Sequence, residues 1–318
     1  MEGQIHSIER LDQSAWDQLT SQASFFQSRY WADICARGMK SKSRAVFLCG
    51  YHEGELVAGM PGVIASKGPL RSFYSMPYGT YGGPVFKTGM DQDICSDFLR
   101  FISEYFRQNK FSEIQIVDSN NSLADARLLS FNKTEVFTHV IEINEGEHHP
   151  PDKKIEGHIR AGTKRGTLVS PIRDRSFINR YYKLYCLTEE KHGRRRPLYD
   201  VKFFEVVFDV LSSSSFLYWN AAEIDGEVIG SQINFIYGNS LFNWQTVSDP
   251  ARMEFKPNQI LMEDTIAEGL RRGVKFVNLG ASPSSAGGLI DYKARWGGRE
   301  MRYNIYTGRS RWRKLLRR

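Results

Sequence analysis

Residues 274–298 read VKFVNLGASPSSAGGLIDYKARWGG. An apolar run from Val274 to Leu279 stops at Gly280 and passes through a Gly/Ser loop. Asp291, Tyr292, Lys293, Arg295 and Trp296 then follow within six residues. The pattern predicts a buried strand that delivers charged and aromatic groups at its own end, where rigid scaffolds display binding and catalytic side chains. An amphipathic helix with merely solvated charges fits the same residues, and both readings stay open at this level.

Further upstream the chain repeats itself. Glu53-Gly54-Glu55-Leu56-Val57-Ala58-Gly59 and Asp225-Gly226-Glu227-Val228-Ile229-Gly230 each sit between apolar runs, Ala45 to Tyr51 and Phe216 to Ile224 on the near side. Each acidic-Gly pair predicts a hairpin whose turn needs positive φ. Beyond the first, Ile94, Phe98, Phe101, Ile102 and Tyr105 mark a helix face and Phe111 to Val117 alternates as a strand. Beyond the second, Met262, Ile266 and Leu270 mark a helix ending near Gly273, before the Val274 strand. The order hairpin, strand, helix, strand thus occurs twice. We expect an α/β (α+β) chain of two similar domains, residues 1–150 and 151–308, with mixed sheets flanked by helices and a basic tail, 309–318. The prolines of His148-His149-Pro150-Pro151 mark the junction.

A chain of 318 residues with 41% hydrophobic content can bury a sizeable core. No window approaches the roughly 20 apolar residues of a membrane span, and MEGQIHSIERLDQ lacks the apolar centre of a secretory signal. The expectation is a cytoplasmic protein. Cys35, Cys49, Cys95 and Cys186 form no CxxC pair and have no histidine at metal spacing, so they read as reduced thiols, with no metal site. Of the net charge of +7, six basic groups fall in the last ten residues, RSRWRKLLRR, so a general DNA-binding surface is not indicated. A helical turn there would gather Trp312, Leu315 and Leu316 on one face, a peripheral contact for the anionic inner face of the membrane or for phosphates. A solvated terminus is the other reading.

Four segments carry a resemblance: FFQSRYW (residues 25–31), MPYGTYGGP (76–84), RAGTKRGTLV (160–169) and DYKARWGG (291–298). In order and spacing they resemble the Fem-type aminoacyltransferases and their relatives, over nearly the whole chain. The resemblance implies two tandem GNAT-like domains and transfer of an aminoacyl group from aminoacyl-tRNA to an amine of a peptidoglycan precursor, or acylation of envelope polysaccharide amines in a related branch. It ties catalysis to an aromatic-Lys pair before an aromatic-Gly pair, here Tyr292-Lys293 and Trp296-Gly297. Tyrosine stands where phenylalanine is frequent. Many relatives also carry a phosphate-binding lysine after the tryptophan of the first motif. Here Cys35 and Arg37 occupy that region, which counts against a nucleotide-linked peptidoglycan substrate.

Moving an acyl group from an ester or thioester to an amine builds negative charge on the carbonyl oxygen, and a cation placed there lowers the barrier. Lys293 is the candidate, with Tyr292 positioning the acceptor; a lysine stem that only covers aromatic surface is the structural alternative. No His/Asp or Cys/His arrangement announces a base. Arg160, Lys164 and Arg165, with Lys191 and Arg194 to Arg196, are candidate phosphate contacts, or a solvated basic face. Tyr78 and Tyr81 either line an acceptor groove or fix a rigid turn. Alternation sends Asn243 and Gln245 to one face expected to border the acyl site, and Arg295 and Trp296 are further candidate substrate contacts.

The segment Phe255-Lys256-Pro257-Asn258-Gln259-Ile260 has no glycines and a proline where acyl-CoA enzymes use a Gly-rich turn at a helix start. Aminoacyl-tRNA is therefore favoured over acyl-CoA, with no further cofactor. The acceptor would be a lipid-linked or nucleotide-linked envelope precursor. Two readings compete: an acyl-CoA or acyl-carrier enzyme acting on an amino sugar, and a non-catalytic scaffold of envelope polysaccharide synthesis.

Overall fold

The computed structural model describes residues 1–123, 131–143 and 152–309. The expected junction at 148–151 and the tail turn at 312–316 lie outside them. The chain divides into two compact units, Met1–Val136 joined by the chain from Arg302 on, and Phe137–Met301.

In the first unit the elements are β1 (Glu2–His6), α1 (Gln13–Thr20), α2 (Arg29–Gly38), β2 (Lys42–His52), β3 (Glu55–Lys67), β4 (Leu70–Ser75), β5 (Val85–Phe86), α3 (Gln92–Asn109) and β6 (Glu113–Asp118). The second holds most of β7 (Asn132–Glu142), then α4 (Lys153–Lys164), β8 (Leu168–Pro171), α5 (Ile178–Lys191), α6 (Val201–Leu211), β9 (Leu217–Ile224), β10 (Glu227–Tyr237), β11 (Ser240–Ser248), α7 (Pro257–Arg271), β12 (Phe276–Ala281) and α8 (Gly287–Arg295). The last strand, β13 (Arg299–Arg309), returns to the first unit, where Asn304 to Arg309 pair antiparallel with β6.

The repeat in the sequence is a repeat in the fold. Strand order is β1-β2-β3-β4-β6-β13 in the first unit and β7-β12-β11-β10-β9-β8 in the second. Each sheet is antiparallel except for one parallel pair, β4 with β6 and β11 with β12, which α3 and α7 bridge as crossover helices. Both hairpins turn through two residues of positive φ, Glu53 (51°) with Gly54 (82°) and Asp225 (50°) with Gly226 (78°), the geometry that matches strand twist. The expected helix faces are buried: Phe98, Ile102 and Tyr105 of α3 join Leu48, Met60 and Phe73, while Met262 and Ile266 of α7 join Leu241, Val277 and Trp296. The strand expected from Val274 begins two residues later. Gly273 (φ 70°) ends α7, and the Val274 amide closes onto the Gly269 carbonyl at 2.9 Å, so Val274 finishes the helix turn before pairing starts. Among the described residues, no helix is long and apolar enough to cross a membrane.

Candidate active site

The parallel pairing of β11 with β12 runs from Ser240↔Phe276 to Phe242↔Asn278 and stops there, although β11 continues to Ser248 and β12 to Ala281. Two irregularities drive the strands apart. On β11, Asn243 opposes Asn234 while Gln245 opposes Ile233, so Trp244 is an extra residue in a bulge that bends the strand. On β12, register against β7 slips between Asn278 and Ala281, with Gly280 at φ 73°. Asn278 Oδ1 holds that bend by accepting the Gly280 amide at 2.8 Å and the Thr138 hydroxyl at 2.6 Å. Strand pairing is therefore interrupted between Asn243 and Gly280, a notch in the sheet ladder that neighbouring side chains fill. A Cβ placed on Gly280 would lie 3.6 Å from the Phe242 ring and 3.9 Å from the Asn243 carbonyl oxygen.

Lys293 reaches this notch from the last turn of α8. Its ammonium donates to the carbonyls of Gly280 at 2.7 Å and Ala281 at 3.1 Å. The side chain is only 6% exposed, and burial, which disfavours the charged form, brings its pKa down to about 8. The following residues fix the turn. Gly297 (φ 85°) supplies the left-handed step, and the Gly298 amide donates to the Lys293 carbonyl at 3.1 Å. Gly298 has no room for a side chain, because a Cβ there would meet the Lys293 carbonyl at 2.8 Å and His139 Cβ at 3.1 Å. Trp296 is fully buried in the core with its ring edge-on to Tyr292 at 6.3 Å. Tyr292 donates to the Asn258 carbonyl at 3.4 Å, and burial raises its phenol pKa.

Beneath the notch lies a buried polar network. Asn243 Nδ2 donates to Asn234 Oδ1 (2.8 Å), and Thr246 Oγ1 donates to Asn243 Oδ1 (3.1 Å). Thr265, on α7, receives Asn220 (3.3 Å) and Asn234 (3.2 Å) and donates to Gln232 (2.8 Å). Asn220, Gln232, Asn234 and Thr265 are fully buried. Buried amides are unfavourable unless satisfied; Gln232, Asn234 and Asn243 find partners for both oxygen and nitrogen, whereas Asn220 Oδ1 has none, so the satisfied part of the network favours one arrangement of the strands around the bulge.

Residues 152–294 match the family model of the acetyltransferase (GNAT) domain. The chain carries a GNAT acyltransferase domain. Comparison with curated protein sequences finds no match. Among solved structures, FemX superposes with a TM-score of 0.75 at 14% identity, covering 96% of this chain and 97% of FemX. The C-terminal domain of a putative lysylphosphatidylglycerol synthetase from Agrobacterium fabrum gives 0.61 at 11% identity, covering 96% and 93%. A tandem GNAT protein from the clavulanic acid biosynthesis pathway gives 0.59 at 11% identity, covering 97% and 98%. The whole chain thus has the Fem-like tandem GNAT fold that the four sequence segments implied, with the matched domain inside the second unit.

Of the expected residues, Lys293 and Asn243 each neighbour Gly280, Lys293 through its ammonium on the Gly280 carbonyl and Asn243 through its own backbone carbonyl, while the Asn243 side-chain amide turns to Asn234 and Thr246. Gln245 is a correction. Cross-strand partners share a face, so the neighbours Ile233 and Asn234 send Gln245 and Asn243 to opposite faces; the Trp244 bulge breaks the assumed alternation. Trp296 lies in the core and Tyr292 packs against it. Arg295 pairs with Asp152, the N-cap of α4, at 3.2 Å. Arg160, Lys164 and Arg165 stand exposed at the end of α4, Arg160 near Glu156 at 3.7 Å. Arg194 is held by buried Glu189 at 2.7 Å.

Tyr78 and Tyr81 belong to the first unit. Tyr81 is buried edge-on to Phe26 and Tyr303, while half-buried Tyr78 (φ 63°) lines a cavity of about 360 Å³ with Met39, Leu70 and Tyr74. The residues the sequence did not announce are Thr138, His139, Asn278 and the Asn234–Thr265 network. A lone histidine in the strand NKTEVFTHVIE, and asparagines in strands that disfavour them, were the only signals. Among the described residues, no cluster of His, Cys, Asp and Glu could hold a metal ion.

Proposed function

We propose that the chain is an N-acyltransferase that moves an aminoacyl or acyl group onto an amine of a cell-envelope precursor such as peptidoglycan or polysaccharide, with aminoacyl-tRNA as the favoured donor. One observation carries this reading: a lysine ammonium, buried and held by two backbone carbonyls where the parallel strand pair of a GNAT domain stops pairing. An ammonium has three N–H bonds. Two face Gly280 and Ala281, which leaves one for the oxygen that gains charge when an amine attacks the acyl carbonyl. The new C–N bond forms, the ester C–O bond breaks, and the proton lost by the amine ends on the released carrier hydroxyl. A charged donor fixed in a low-dielectric site stabilises that oxygen better than water does.

The donor preference rests on the start of α7. Residues 250–255 form a 3₁₀ turn, Lys256 takes a left-handed conformation (φ 57°), and Pro257 has no N–H to offer. The amides of Gln259 and Ile260 both turn to the Lys256 carbonyl at 3.2 Å. Few amides remain to cradle a pyrophosphate. The envelope acceptor rests on the fold shared with FemX and the lysylphosphatidylglycerol synthetase domain. The acyl-CoA reading, with an amino sugar as acceptor, keeps a foothold in the acetyltransferase family model.

Incubating the protein with radiolabelled aminoacyl-tRNA or labelled acetyl-CoA, each with lipid-linked precursor or hexosamine, separates the two. Label passing from aminoacyl-tRNA to an amide product is the expected result. Transfer only from acetyl-CoA would replace the donor assignment, and no transfer from either would favour a non-catalytic scaffold.

A further inference from the structure

His139 is a buried titratable group that this chemistry has not used. It is 1% exposed, and its Nδ1 has no hydrogen-bond partner. On β7 it falls between Thr138, which pairs with Ala281, and Val140, which pairs with Asn278, so it stands opposite the Leu279–Gly280 slip. Gly280 is the residue whose carbonyl takes the Lys293 ammonium. From the other direction, His139 Cβ and the Lys293 carbonyl both crowd the same point beside Gly298. Strand β7, the bend of β12 and the end of α8 therefore meet around residue 139, and the Phe137 ring packs edge-to-face with the imidazole at 5.6 Å.

Resting on the acyltransferase reading above, we propose that His139 is a positioning residue for Lys293: as a neutral imidazole it backs the Gly280 bend and leaves the ammonium as the single positive charge there, and protonation of the ring shuts the site down. Two charged groups act on it electrostatically, Lys293 from α8 and Glu300 from β13. Burial, and then the neighbouring Lys293 charge, hold the imidazole below the ordinary histidine range, while Glu300 pulls the other way. A second cation in this small buried space would be repelled by the first. The active form thus has Lys293 charged and His139 neutral. Turnover falls as pH rises through about 8, where Lys293 loses its proton. It falls again as pH drops through the lowered His139 midpoint.

The test needs no substrate in its first arm. Histidine-ring NMR titrations of the full chain, wild type and Lys293→Met, read the His139 midpoint directly. The midpoint is expected to rise by several tenths of a pH unit or more when the Lys293 charge is removed. A midpoint that stays where it was would overturn the coupling. In the second arm, His139→Gln, which keeps a polar side chain but cannot titrate, is assayed across pH with its melting temperature measured alongside. Loss of the acid limb of the rate profile is expected, and an acid limb identical to wild type would overturn the proposal. If no donor supports transfer, the acyltransferase reading fails while the NMR arm still decides whether the two groups are coupled.

Discussion

The two units take the same parallel strand pair and treat its end in opposite ways. In the first, β4 stays paired with β6 to its last residue, Ser75↔Ile116, and residues 76–84 then fold back along the sheet, with the Gly82 amide on the Val117 carbonyl at 2.8 Å. Gln27 donates to the Gly82 carbonyl at 2.7 Å, and Trp31 donates to Thr80 at 3.0 Å. The motifs FFQSRYW and MPYGTYGGP are thus the two halves of one seal. In the second unit the equivalent strands stop pairing at the Trp244 bulge and the Gly280 bend, and a buried lysine donates to the bend. One copy of the fold closes the end of its parallel pair with a loop and aromatic side chains; the other leaves that end unpaired beside a buried lysine.

The sharpest way to break this contrast is Lys293→Met. If the ammonium stabilises the transition state, turnover should fall about 10²–10³-fold, as for loss of one oxyanion donor, with circular dichroism unchanged. An equally active variant would leave Lys293 a structural lysine. A second effect of similar size appears in stability. Because burial lowers the Lys293 pKa from 10.5 to about 8, the unfolded state binds this proton more tightly. Stability from this group therefore rises as pH climbs from about 8 to 10.5, by about 3 kcal/mol. Urea melts of wild type at pH 7 and above 10, each referenced to Lys293→Met, should show that gain, and a flat difference would contradict the burial.

Gly82→Ala probes the sealed unit. Its Cβ would fall 1.9 Å from the Ser75 carbonyl oxygen, a backbone atom, so the loop must shift at a cost of about 1–3 kcal/mol. The melting temperature should drop while the lysine of the second unit titrates as before. Thr265→Val is the gentlest probe. It unhooks Asn220, Asn234 and Gln232 without changing volume much, costing about 1–2 kcal/mol in a denaturant melt. Through Asn234 it also slackens Asn243, so KM for the acyl donor should change along with stability.

The sequence showed the duplication well, because hairpins with acidic-Gly turns and helices with a 3.6-residue period are local signals that both units satisfy. Lys293 was legible for the same reason, its whole turn being written in the contiguous run DYKARWGG. What was hidden depends on pairing. Nothing in REMRYNIYTGR says that its later residues join β6, and a bulge at Trp244 leaves no mark on an alternating strand until its partner is known. His139 escaped notice because its neighbours at the site are more than a hundred residues away in sequence, and a single histidine in a largely polar strand carries no spacing to read.

The most direct test is hydrogen exchange by mass spectrometry on the full chain, with and without a non-hydrolysable, amide-linked aminoacyl-tRNA analogue. Our account predicts that the analogue slows exchange at residues 243–248 and 280–282, flanking the notch, and leaves residues 76–84 as they were. Protection confined to 76–84, or none in either segment, would contradict it.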